Sequence, residues 1–495
     1  MLGFKVNRIA DLVVEKKTSQ PSRILRLLWC RRGSALPVVL LVTLVLSLLG
    51  AGLLNLALSE RQGTANEVKI TQATYLAEAG INLALARLRQ NPGWRDGLGQ
   101  TSLPGVQGYI QRVDIRQQVL SYRLRSLAQV GGVQRAVEVD LARPLYTFAL
   151  ATAGDLDKQD KLIISGGDIL ALRDINNLKV VFGEDNIINV AAGGNLTVNG
   201  TLQGSAVAGG DLYVKGTIKG DATAGGVIYS NGKIYRGQSY NGKIYGNKFE
   251  GVSLPFPSFP DNPDAPYRGG LSLTKDTYTV DEIQAMVNNA GMTPAILYRQ
   301  GDLTITAGDG HDNDHGHGNN NGNGNGGNDN GNGNDHGTLY YNGIAIIAAS
   351  GSITLETSLL PASGGNAWAF IASGDLNISG GTSLGGVFID GGTFSKSDRG
   401  QESIINGSLV TRYVGAIDEG SYDTPGSNQE INGNDNSNGN GQGNGNGNGK
   451  DKDNDHKIKG KIRINYDQDL VRFLAPYLRQ GNWQILSWRG AALEQ

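Results

Sequence analysis

The chain has 495 residues, enough for two to four domains, and a formal net charge of −2. That balance offers no basic surplus for nucleic acid, and a single cysteine, Cys30, excludes a disulfide scaffold or a cysteine-based zinc site in everything after it. Glycine stands at 73 residues, roughly twice its usual share; two Gly/Asn tracts hold only 18 of them, so the rest of the chain is glycine-rich too.

Residues 1–33 form a basic leader, with Lys5, Arg8, Lys16, Lys17, Arg23, Arg26, Arg31 and Arg32 against Asp11 and Glu15. By the positive-inside rule this side stays in the cytoplasm. From Ala35 to Leu58 there is no charged residue, enough to span a ~30 Å hydrocarbon core as a helix and longer than the ~7–15 apolar residues of a secretory signal. Ala57-Leu58-Ser59 keeps a signal-peptide cleavage open as an alternative. Pro37 is harmless only in a first helical turn, so the helix is expected to start near Ser34, a good N-cap. Further on, Ala73, Leu76, Ala77, Gly80, Ile81, Ala84, Leu85 and Leu88 form one stripe at helical spacing. Asn91-Pro92-Gly93 ends it. The segment 34–90 is predicted to be a single helix of roughly 85 Å, at ~1.5 Å per residue.

A basic leader ending in Gly33, a membrane-length helix and then "ATYLAEAGINLALARL" at Ala73–Leu88 resembles the N-terminal region of PilX-type minor pilins. The most specific part is Tyr75, Leu76, Ala77, Glu78, Ala79 and Gly80. The resemblance implies cleavage by a prepilin peptidase between Gly33 and Ser34, and a helix, with Tyr75–Gly80 in its packing face, that first anchors the subunit in the inner membrane. It further implies later packing beside other pilins and pilus assembly proteins, with the N-terminus cytoplasmic and the bulk outside. Major pilins carry glutamate at the fifth mature position, where this chain has Val38, and Ser34 stands as first mature residue. These departures point to a minor subunit.

The body reads as mainly β. Within 91–145, "YRLRSLAQVGGVQRAVEVDL" (Tyr122–Leu141) alternates on both sides of Gly131-Gly132, a hairpin signal. Within 146–254, "AAGGNLTVNGTLQGSA" (Ala191–Ala206), "VAGGDLYVKGTIKGDA" (Val207–Ala222) and "TAGGVIYSNGKIYRGQ" (Thr223–Gln238) repeat with a period of 16. Short period-two runs between glycines suit a Gly-rich parallel β-helix, or solenoid, and the pattern is similar to bactofilins. A Gly-rich antiparallel sheet is the alternative. "SGGDIL" at Ser165, "GDLTIT" at Gly301, "SGSITL" at Ser350, "SGDLNI" at Ser373 and "NGSLVT" at Asn406 extend the repeat over about 160–415. Residues 255–300 hold a Pro-rich linker and a short helix capped by Thr279 and Glu282. A second solenoid part follows at 301–430.

The tracts 308–337 and, Ile431 aside, 431–457 lack apolar residues and are expected to be disordered. The strands near Ile305 and Ile344 should therefore remain neighbours. All five histidines lie in these tracts, and Asp451, Asp453 and Asp455 match the first positions of a calcium loop, without its glycine or glutamate. Metal binding there is the minor reading, and no cofactor is implied. Gly381-Thr382-Ser383-Leu384-Gly385 matches G-x-S-x-G, but with all five histidines in these tracts no rigid Ser-His-Asp arrangement is expected, and no H-E-x-x-H or Walker pattern occurs, so the chain is not expected to be an enzyme. Residues 458–495, with Phe473, Tyr477, Trp483 and Trp488, are expected to be core or to cap one end of the solenoid. The competing function is a membrane-anchored surface β-helix used for adhesion or carbohydrate binding outside any filament.

Overall fold

The computed structural model describes residues 35–157, 162–178, 187–230, 243–244, 246–308, 338–397, 401–415, 461–479 and 483–491. They fall in two units, Met1–Gln72 and Ala73–Gln495. Helix α1, Ala35–Gln90, has residues in both.

In the first unit every described side chain of residues 36–68 is exposed. The hydroxyls of Thr43 and Ser47 donate to the carbonyls of Leu40 and Thr43, at 3.0 and 2.7 Å. The apolar stretch therefore carries no unpaired hydroxyl at those positions, as a hydrocarbon environment demands.

In the second unit, hereafter the body, Ala73, Leu76, Ala77, Ile81, Ala84 and Leu88 of α1 are buried against an antiparallel sheet. That sheet comprises β1 (Tyr109–Gln117), β2 (Ser121–Val130), β3 (Val133–Ala142) and the C-terminal strand Ile485–Ala491, in that order. Gly131 and Gly132, both at positive φ, make the two-residue turn between β2 and β3. The helix lies close to the sheet at Gly80, where a Cβ would stand 2.3 Å from Ser126 Oγ.

The remainder is mainly parallel strand. Val190–Ala192, Leu196–Val198 and Thr201–Leu202 form one three-sided coil, and the next begins at Ala206–Ala208. Ala206 pairs with Val190 and Ala222, Leu196 with Leu212 and Thr201 with Thr217, all at the repeat distance of 16. Inward side chains such as Val190, Leu196, Leu202 and Leu212 share one core. This is the parallel solenoid; the antiparallel alternative is excluded for this region.

The Gly-Gly corners explain the surplus glycine. A Cβ on Gly209 would stand 2.0 Å from Gly193 O, and one on Gly225 2.1 Å from Gly209 O. Beside them Asp155, Asp174, Asn195 and Asp211 form a ladder, each side chain accepting the backbone N–H of the corner one coil on, at 2.6–2.9 Å. Asp168, Asn189, Ser205 and Asp221 do the same at a second corner. "SGGDIL" lies on this second corner, out of phase with the other Gly-Gly pairs.

Four expectations need correction. The third repeat does not keep its period, because Thr217-Ile218 pair with Lys243-Ile244 and Ala222 with Lys248, 26 residues on. The strands near Ile305 and Ile344 do not pair: Leu303–Thr306 pairs with Ile353–Leu355, and Ile344–Ala349 with Ala295–Arg299. They stand on different sides of successive coils.

Third, the coils do not stack in chain order. In the large sheet the first strand of the early block, β4 (Leu150–Thr152), lies beside Ser403–Thr411, near the end of the late block. The early coils run from β4 out to Lys248–Phe249 at one end, and the late coils run from Leu271–Leu273 at the opposite end back to β4. Residues 250–270 therefore bridge twelve strands, about 53 Å at ~4.8 Å per step, which the segment can reach at ~3.1 Å per residue in a polyproline conformation. Along this strap, Val252 N–H donates to Ala224 O (3.2 Å), Phe256 lies at Gly209, Arg412 sits over the Phe259 ring (5.5 Å) and Pro263 lies at Gly391. Asp264 then accepts from Tyr298 (3.2 Å), Arg268 (2.9 Å) and Ser373. The contacts follow the order of the stack. The Pro-rich stretch is thus a docked strap, and the second solenoid part begins at Leu271, not residue 301; helix α2, Val280–Asn289, buries Ile283 and Val287 in the core there.

Fourth, of the two readings of the C-terminal stretch, core or cap, it joins the core, with Trp483 in the helix–sheet cluster, and does not cap an end. Ile462–Asn465 pairs on one side with Ser403–Thr411 and on the other with Leu162–Ser165. Helix α3, Gln468–Leu474, lies on the outer face of the large sheet. Ile485–Ala491 pairs with β3, and Trp483 packs on Tyr122 at 5.2 Å.

Near the junction of the two blocks lies Asp390, fully buried, with Oδ1 2.9 Å from Thr411 Oγ1 and no partner for Oδ2. Burial pushes its carboxyl well above the ordinary carboxylate range. A carboxyl so raised costs stability as pH climbs above the unfolded value near 4, with the full cost above the folded pKa. Asp390→Asn should therefore raise the Tm of the body at pH 7, by roughly 2–4 °C for each kcal/mol relieved, and leave it unchanged at pH 3. A scan at both pH values checks this; equal shifts at both would refute it.

Candidate functional site

Two regions carry functional potential. The first is α1. Leu36, Leu40, Leu44, Leu48 and Leu53 are all more than half exposed, and Leu36–Gln90 contains the one helix among the described residues that is long and apolar enough to cross a membrane. It fits a single-pass anchor. Val38 is 46% exposed.

The expected packing element divides in two. Leu76, Ala77 and Gly80 are buried in the body's own helix–sheet core, whereas Tyr75 is exposed and Glu78 and Ala79 are half-buried. The stripe between Ala73 and Leu88 thus serves intramolecular packing, and only Tyr75 of the motif presents a large free side chain. Gly33 and Ser34 lie outside the described residues. So do Asp451, Asp453, Asp455 and the five histidines; among the described residues no cluster of three potential metal ligands occurs.

The second region is a cleft of about 1190 Å³ in the body. One wall comes from residues 92–95 and the β1–β2 turn, the other from the strap at Val252–Pro255, and the second-corner ladder with Val207 and Thr223 lies along it. Arg95 donates to Gln117 (2.9 Å) and Arg123 to Asp140 (2.8 Å). At its base Arg143 pairs with Asp168 inside the protein and donates to Val119 O (2.8 Å) and Thr147 O (3.0 Å). Phe249, 46% exposed, stands at the end coil. None of these residues was singled out from the sequence. Asn189, Ser205 and Asp221 recur at the 16-residue period of the coils, whereas most of the others come from the helix end, a hairpin and the strap, with no shared spacing to reveal them.

A long apolar helix continuing into a mainly parallel-β body defines the class of protein. Residues 32–82 match the family model described as PilX N-terminal, so this part of the chain is a pilin-type N-terminal segment. No curated protein matches the chain. The solved structure of the competence-associated pilin ComZ from Thermus thermophilus is similar at 14% identity, over 86% of this chain and 97% of that chain, with a TM-score of 0.30, a likeness too low to bear on the fold.

Proposed function

We propose that the protein is a minor, non-enzymatic component of a type IV pilus or pseudopilus. In this reading α1 holds the subunit in the inner membrane, leader inside, until a prepilin peptidase cuts between Gly33 and Ser34. The freed helix then packs beside other pilins and the solenoid is displayed outside. The pilin-type match over residues 32–82 carries the proposal, and the exposed apolar face of α1 supports it. Val38 in place of a glutamate favours a low-copy subunit.

The mature N-terminus, read by mass spectrometry from the native host, tests this. A start at Ser34 is expected; an intact leader supports the competing surface β-helix, and a start at Glu60 an ordinary signal peptide. Gly33→Leu should leave the protein in the membrane and reduce its recovery in sheared filaments to background. Undiminished recovery would reject assembly by this route.

A further inference from the structure

We propose that the cleft between the antiparallel sheet and the solenoid flank binds a neutral, linear oligosaccharide. Its volume of about 1190 Å³ lies above the ~300–1,000 Å³ of small-molecule pockets, which suits a ligand of several units. Its base is periodic: Asp168, Asn189, Ser205 and Asp221 come one per coil, at the ~4.8 Å step of paired strands. A ligand built of similar polar units laid along the stack meets the same kind of group at each step, and an extended hexose chain has a comparable advance per unit.

Charge decides the class. Arg123 is paired with Asp140 and Arg143 with Asp168 within the protein, leaving Arg95 and Asp221 as opposite and separate charges on the lining. The cleft thus has no net field to draw a nucleic acid, a phosphate or a basic peptide. What remains is hydroxyl and amide chemistry, from Ser205, Thr223, Ser253, Gln118 and Gln468, with the exposed ring of Phe249 at one end. Hydroxyl and amide groups on a lining that also holds an aromatic ring match a sugar's hydroxyl rim and its apolar C–H face.

The full chain in a zwitterionic detergent, titrated with chitohexaose and cellohexaose and followed by saturation-transfer NMR, tests this independently of filament assembly. Saturable transfer to at least one is expected, weakened at least tenfold by Phe249→Ala and by Ser253→Trp, which fills the mouth from an exposed strap position. Tyr413→Ala, at an exposed ring outside the cleft, should change nothing. Circular dichroism confirms that each variant is folded. No transfer to either hexasaccharide at millimolar concentration overturns the proposal. So does binding indifferent to both cleft variants, or tighter binding of a sulfated heparin hexasaccharide.

Discussion

Gly209→Ala is expected to destabilise the body by about 3 kcal/mol, the upper end of what overpacking usually costs. The added carbon would stand 2.0 Å from Gly193 O. That oxygen belongs to the backbone of the preceding coil, so no side-chain rotation relieves the clash; the two coils have to part. Parting them breaks the bond from Gly210 N–H to Gly194 O (2.8 Å) and strains the acceptance of Asp211 N–H by Asn195 (2.8 Å). Denaturant unfolding of the full chain, followed by the strand signal in circular dichroism, measures the loss. Gly63→Ala is the matched control: nothing lies within 4 Å of its added carbon, and alanine favours a helix by ~1 kcal/mol over glycine. An unchanged midpoint for Gly209→Ala would mean that the coils do not stack at this spacing.

Arg143→Met should cost more, about 3–5 kcal/mol, because it strands the Asp168 carboxylate without its counter-charge. Their side chains are 3% and 8% exposed. Asp168 is committed elsewhere too, accepting from the Asn189 backbone (2.9 Å) and side-chain amide (2.8 Å) at the start of the second-corner ladder. Adding Asp168→Asn removes the stranded charge while keeping an oxygen for those two bonds. The double variant is therefore expected to regain most of the loss. A double-mutant cycle in denaturant separates the outcomes, since simple additivity of the two single losses would show that the ion pair is not the source.

What was legible in the sequence follows from local period. The stripe from Ala73 to Leu88 has helical spacing, and it is buried as a stripe. The Gly-Gly pairs at 193–194, 209–210 and 225–226 recur at 16, and the strands between them pair at 16. The mainly β, parallel character of the body follows from that. Order along the stack was not legible, because every coil offers neighbours much the same short apolar strand, and a period says nothing of which coil adjoins which. The third coil shows the limit in small. Asn-Gly-Lys-Ile-Tyr occurs at 231–235 and again at 241–245; the period selects the first, whereas Lys243-Ile244 of the second pair with Thr217-Ile218. The cleft was equally hidden. Arg143 and Asp168 are 25 residues apart; Arg143 follows β3 at the entry to the solenoid and Asp168 stands one coil further on, before Ile169–Ala171, so only the stacking of coils brings them together. The YLAEAG element was found, but its sequence did not separate Leu76 and Ala77, turned to the protein's own sheet, from Tyr75, turned to solvent.

The order of coils has a mechanical consequence. Along the chain, a load carried by α1 passes through β1 and β2 of the antiparallel sheet and enters the solenoid by way of β3 and then β4. Neither is an edge: β3 lies between β2 and Ile485–Ala491, and β4 between Ile169–Ala171 and Ser403–Thr411. A strand bonded along both sides cannot be peeled away one bond at a time. The vulnerable outermost coils, which a solenoid threaded from end to end would expose directly to traction, are here the parts of the chain farthest from the pull, joined to each other by the strap.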